Sequence, residues 1–208
     1  MTPFDHAPFD HALRGVHTAL ELGGHRMPLP VARWHAEPDP ADELLLARCA
    51  GATLDVGCGP GRLTAALTGR GIPALGIDVS PVAVRLARAR GASALRRDVF
   101  ESVPGTGRWR HVLVADGNVG IGGDPAVLLR RVTDLLAPGG TVLVELDPPG
   151  TGLVRGLARL VQPHGASGAF PWARVGVEAI AGPAASAGLR LGWRVGRVGR
   201  WFAELMGH

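Results

Sequence analysis

The run Leu54-Asp55-Val56-Gly57-Cys58-Gly59-Pro60-Gly61-Arg62-Leu63 carries the residues best suited to chemistry in this chain of 208. Glycines at 57, 59 and 61 let the backbone turn sharply and approach a ligand with no Cβ in the way. Asp78 follows 21 residues after Gly57, where a carboxylate can accept both hydroxyls of a ribose. Position 62 is arginine, so the G-x-G-x-x-G dinucleotide fingerprint is incomplete. The chain has no lysine, which excludes a G-x-x-x-x-G-K-[ST] phosphate loop. The turn suits a ligand with adenosine but without a pyrophosphate.

These residues need elements to hold them. Thr53–Val56 reads as a short apolar strand, the glycines as a turn, and 61–69 as a helix with Leu63, Ala66 and Leu67 on one face. Strands follow at Ala74–Ile77, Ala94–Arg97, His111–Ala115 and Thr141–Leu146. Helices start at Ser80-Pro81 and Asp124-Pro125, each a capping residue followed by proline at the first helical position. Apolar strands separated by amphipathic helices indicate a parallel sheet covered on both faces. Upstream, a helix is expected over 10–22, then an extended stretch punctuated by Pro28, Pro30, Pro38 and Pro40, and a helix over 40–50 capped by Asp39. Residues 150–175 break the rhythm and read as an irregular insertion. A helix near 177–187 follows, and Leu189–Val195 with Gly199–Leu205 suit an antiparallel closing pair.

Asp55–Gly61, Gly76-Ile77-Asp78, Arg97-Asp98-Val99 and Leu136-Ala137-Pro138-Gly139-Gly140 together resemble, in order and spacing, the motifs of class I S-adenosylmethionine-dependent methyltransferases. The resemblance covers roughly 40–147. It implies a doubly wound, mostly parallel seven-stranded α/β sheet, Rossmann-like, with helices on both faces. It also implies S-adenosylmethionine as cofactor and S-adenosylhomocysteine as product. Gly57, Gly59 and Gly61 would then border the methionine moiety, with Asp55 orienting the loop or the amino group. Asp78, followed by Val79, would hold the ribose; Asp98 would accept from the adenine amino group while the Val99 N–H reaches the ring. The segment after the fourth strand, Ala115-Asp116-Gly117-Asn118, borders the transfer site in that family. It lacks the Asn/Asp-Pro-Pro-aromatic motif of enzymes acting on planar amines. Asp147-Pro148-Pro149 follows the fifth strand instead and reads as a turn.

Asp116 is the best-placed general base, with Asn118 as polar orienter; the alternative is that Asp116 contacts the cofactor or caps a loop. Trp34, His35, His164, Trp172 and Arg174 lie in the two decorations and are candidate substrate contacts. The alternative for Trp34 and Trp172 is that they staple those decorations to the core. His111 begins its strand at the rim away from the site and reads as structural. His6, His11, His17 and His25 match no ligand spacing, and Asp116, Asn118 and Asp147 lack a fuller metal pattern, so no metal is expected. Cys49 and Cys58 read as free thiols, Cys58 filling space in the turn.

The expected organisation is an arm over 1–39, a possible lid, and a methyltransferase domain over 40–208 with an insertion at about 150–175. All 22 basic residues are arginine against 18 acids. Seven arginines against two acids fall within 151–208, so the surplus charge belongs to the insertion and the closing strands. Arg155, Arg159 and Arg174 in or beside the expected cap could favour an anionic acceptor or contact a partner; Arg190, Arg194, Arg197 and Arg200 read as a solvated face. A mean hydropathy of +0.17, with no apolar run of about 18 residues and no leader-like start, points to a cytoplasmic protein. The expected partner is a small molecule, methylated at oxygen or nitrogen, with no nucleic acid and no membrane. Monomer and homodimer both stay open. The rivals are an RNA- or protein-modifying methyltransferase and a non-methylating binder of the same cofactor.

Overall fold

The computed structural model describes residues 7–207; Phe4, Asp5 and His6 of the short N-terminal repeat lie outside them. Among the described residues, the main sheet has seven strands. β3 (Thr53–Val56), β4 (Ala74–Asp78), β5 (Ala94–Arg96), β6 (Trp109–Val114) and β7 (Leu136–Leu146) run parallel. β11 (Leu189–Arg197) and β12 (Arg200–Gly207) close it as an antiparallel hairpin, with β12 antiparallel to β7. The spatial order is β11-β12-β7-β6-β3-β4-β5. Chain order reverses between β3 and β6, which places a crevice beyond the strands' carboxyl ends at that seam.

Both faces of the sheet are buried because alternate residues point opposite ways. Val112 and Val114 pack with Val142 and Val144 beneath α6 (Pro125–Leu135) and α7 (Ala181–Ser186). Leu113 and Leu143 point the other way, onto Leu63 and Leu67 of α4 (Arg62–Gly69) and Leu45 and Leu46 of α3 (Glu43–Leu46). Caps fall where the sequence places them. The Ser80 hydroxyl accepts from Ala83 N at 3.0 Å at the start of α5 (Pro81–Ala89). Asp124 accepts from Ala126 N at 3.0 Å at the start of α6. Asp39 Oδ1 accepts from the Ala41 and Asp42 N–H groups at 2.7 and 2.9 Å, but the regular helix beyond it is only α3.

The upstream reading needs correction. The helix expected over 10–22 is α1 (Ala7–Leu13), and it stops before Gly15 at φ +87°. Ala19–Leu22 is instead a strand, β1, paired with β2 (His25–Pro28) across Gly23-Gly24, both at positive φ. Two adjacent glycines with φ above zero are what a two-residue hairpin turn requires. The irregular insertion is also strand: β8 (Leu153–Gln162), β9 (Gly165–Ala166) and β10 (Phe170–Val175). β8 pairs with β1, so arm and insertion form one antiparallel sheet, ordered β10-β8-β1-β2 with β9 on β8. Its own core is Leu20, Leu22, Ala158 and Leu160. α2 (Val31–His35) then crosses back toward the main sheet.

Candidate active site

Between the carboxyl rim of the main sheet and the second sheet lies a cavity of about 300 Å³. The glycine turn forms its floor. Gly57 N and Cys58 N both donate to the Ile77 carbonyl, at 2.8 and 3.1 Å, hooking the turn onto β4. Gly57 and Gly59 sit at φ +69° and +52°, and nothing lies within 4 Å of where a Gly59 Cβ would be. Gly61 serves differently. It does not line the cavity, and its missing Cβ leaves room for Ala87 of α5, which would otherwise approach to 2.8 Å. Cys58 fills space, as expected, against Gly76.

The acids divide by environment. Asp55 is buried under the turn and accepts from Thr64 Oγ1 at 2.7 Å. Burial pushes its pKa up to about 6, against the lowering effect of that bond and of Arg62. Asp78 closes β4 with one oxygen on Gly59 N (3.0 Å) and the other on Ser80 N (2.8 Å). Burial raises it to about 6 as well, against those same bonds. Asp98 Oδ1 accepts from Phe100 N at 2.9 Å, while the Val99 carbonyl accepts from Arg131 Nε at 2.8 Å. Asp55, Asp78, Val79, Asp98 and Val99 all line the cavity.

Asp116 and Asn118 are brought to the same rim. Asp116 follows β6 in a left-handed conformation, φ +54°. Both of its oxygens are occupied. Oδ1 accepts from Arg33 Nη2 (2.6 Å) and Nε (3.1 Å), and Oδ2 from Arg62 Nη2 (2.6 Å). The Asn118 amide donates to the Val56 and Gly57 carbonyls at 3.0 and 2.9 Å, so it braces the glycine turn. Arg62 also pairs with buried Asp42. Arg200 joins Asp42, Asp39 and Glu145 at 2.9, 3.0 and 2.8 Å. Burial alone would lower the Arg200 pKa, but Glu145 and Asp42 overcome it and hold the guanidinium above its usual range. Arg200 is therefore not part of a solvated face; it is buried within a charge network that ends on the Arg33 side chain of the arm.

Trp34, Trp172 and Arg174 line the cavity; His35 and His164 do not. His35 Nε2 lies 3.0 Å from the Leu13 carbonyl, and His164 occupies the exposed turn between β8 and β9. Trp34 packs against Val82 and Ala83 of α5, with its buried Nε1 lacking a partner among the described residues. Arg174 is neutralised by Asp147, at 2.5 and 3.0 Å, and Arg155 by Asp124 at 3.1 Å. His111 sits at the opposite rim, 3.0 Å from Thr141 Oγ1, with burial lowering its pKa. Sequence reasoning missed Asp42 and Glu145, and placed Arg33 only in the arm and Arg62 only in the glycine turn. Only Glu145 left a signal, as an acid inside an otherwise apolar strand.

Residues 53–140 match the family model described as a methyltransferase domain. Over 137 residues the chain is 35% identical to a trans-aconitate 2-methyltransferase of Methylobacterium radiotolerans, covering 62% of this chain and 49% of that one. It is 32% identical over 114 residues to the enzyme of the same name from Paracidovorax citrulli, covering 51% and 44%. The chain thus spans about half the length of the curated relatives it matches. A methyltransferase from Bacteroides fragilis, solved with S-adenosylhomocysteine, superposes with a TM-score of 0.76 at 21% identity, over 97% of this chain and 93% of that one. Residues 53–140 thus match a methyltransferase domain, and the chain has the fold of S-adenosylmethionine-dependent methyltransferases.

S-adenosylmethionine, the cofactor used by methyltransferases of this fold, fits the residues present. The open space at Gly59 and the glycine backbone beside it admit a close-lying ligand. Asp78 spends one backbone bond on each oxygen, leaving lone pairs on both for a diol. Asp98, two residues past β5, lines the same cavity. Among the described residues, no helix is long and apolar enough to cross a membrane.

Proposed function

We propose that this protein transfers the methyl group of S-adenosylmethionine to a small-molecule acceptor, at oxygen or nitrogen, by in-line displacement. The observation that carries this reading is one continuous cavity. Cofactor-type acids and glycines line its floor, and the sheet built from arm and insertion roofs it. That roof leaves a chamber of small-molecule size.

The cofactor supplies an electrophilic methyl on a sulfonium. In our reading Asp78 binds the ribose hydroxyls, Asp98 and the Val99 N–H bind adenine, and Asp55 stands beneath the methionine end. Asn118 positions the glycine turn through its two carbonyl bonds. Asp116 positions α2 across the rim through Arg33, because both of its oxygens already accept charged hydrogen bonds. The roof excludes water. Holding an acceptor in line in this way can contribute about 7–11 kcal/mol to rate acceleration. The test is a thermal shift followed by turnover. A hundredfold excess of S-adenosylmethionine over its Kd should add about 2.7 kcal/mol of stability, and Asp78→Ala should remove most of that gain. An unchanged shift in Asp78→Ala would mean that another residue holds the ribose.

A further inference from the structure

The acceptor end of the cavity differs from its cofactor end. Phe9 of α1, Leu20 of β1, Met27 of β2, Leu29, and Phe170 and Trp172 of β10 wall it, all drawn from the second sheet's hydrophobic cluster. Three rings converge there. The Phe9–Phe170, Phe9–Trp172 and Phe170–Trp172 centroids are 5.7, 5.8 and 5.9 Å apart, at interplanar angles of 61°, 40° and 82°. Phe100 and Ile121 line the facing wall, and Ile121 bridges to Trp172.

The charges decide what such a chamber accepts. Among the described residues, five carboxylates but three guanidiniums line the cavity. Arg174 is matched by Asp147, and Arg62 by Asp42 and Asp116. Arg33, above the rim, is matched by Asp116 and Glu145. Arg97, the remaining guanidinium of the lining, leaves β5 beside Asp78, whose carbonyl accepts from its N–H at 2.9 Å, at the cofactor end. A polyanionic acceptor would lose its hydration and find the described acceptor-end cations already neutralised, among carboxylates of its own sign. A flat apolar molecule would gain ring contacts and lose little.

We infer that the acceptor is an uncharged, ring-bearing small molecule held by Phe9, Phe170 and Trp172, and not a polycarboxylate. The inference rests on the proposed function, since it names the class of molecule methylated at that site. The test uses the full chain saturated with S-adenosylhomocysteine, titrated calorimetrically with 2-naphthol and separately with trans-aconitate. The expected result is saturable binding of 2-naphthol and none of trans-aconitate at about tenfold higher concentration. Trp172→Ala and Phe9→Ala should each weaken 2-naphthol about tenfold while S-adenosylhomocysteine affinity stays within about twofold. The two substitutions lie on different elements, so misfolding of one, seen as lost S-adenosylhomocysteine binding, leaves the other to decide. Tighter binding of trans-aconitate, no binding of 2-naphthol, or unchanged 2-naphthol affinity in a folded variant would overturn the inference. Failure of the wild-type chain to bind S-adenosylhomocysteine would instead overturn the proposed function beneath it.

Discussion

A carboxyl buried under a glycine turn is costly to keep charged, and Asp55 shows how the site bears that cost. Its pKa is pushed up to about 6 by burial, although Thr64 and Arg62 favour the charged form. In the unfolded chain the same group titrates near 3.8. Between pH 4 and 6 the folded state therefore holds more protons than the unfolded one, and this group's contribution to stability falls as pH rises. Above pH 6 the full cost, about 3 kcal/mol, is present. Asp55→Asn keeps a partner for Thr64 and removes the charge. Denaturant unfolding of the free protein should find Asp55→Asn more stable at pH 7.5 by up to about that amount, with the gap closing below pH 4. A gap independent of pH would assign the difference to packing instead. Asp55 and Asp78 were legible because each belongs to a strand next to the glycine turn, and spacing along a strand is local. The setting of Asp116 was not. Its partners Arg33 and Arg62 lie 83 and 54 positions away, and no periodicity reports which distant side chains meet at a rim.

At the scale of elements, the main sheet was legible because its strands are buried on both faces and therefore read as short, continuous apolar runs. The second sheet was hidden for the opposite reason. Its strands are half exposed and interrupted by Arg155, Gly156 and Arg159, and β1 finds its partner 140 residues away, Leu20 opposite Leu160. The local clue was Gly23-Gly24, whose paired positive φ values form the hairpin. The two sheets meet where the short turn Asn118–Gly120 packs on β10. A Cβ at Gly120 would overlap the Ala173 carbonyl and lie 2.9 Å from Trp172 Nε1. Backbone cannot yield as a side-chain tip does, so Gly120→Ala must push β10 away from the rim. We expect a destabilisation of about 1–3 kcal/mol, read in a thermal melt. The acceptor KM should rise while cofactor affinity holds, because the Asp78 and Asp98 walls do not touch this seam. Equal loss of both would mean that the glycine supports the whole rim and not only the roof.

For the whole molecule, the question is what an arginine-only excess does once its members are placed. Arg62 and Arg200 are buried in ion pairs, and Arg33 and Arg174 close onto Asp116 and Asp147. The exposed remainder of the closing strands is Arg190, Arg194 and Arg197, strung along β11 at one edge of the main sheet. Charged side chains on an edge strand deter pairing with another copy, which accounts for the row without a nucleic-acid partner. The two accounts differ in salt dependence. Three phosphate contacts on single-stranded RNA would release few counterions, so affinity should fall only about twentyfold between 50 and 200 mM salt. We expect weak binding at low salt that vanishes by 200 mM, and vanishes at any salt in the triple variant Arg190→Ser, Arg194→Ser, Arg197→Ser. Filter binding across a salt series measures both. A steeper slope, with tight binding surviving at 200 mM, would require cations beyond this edge, and would move the acceptor from the aromatic chamber to a nucleic acid lying across the rim.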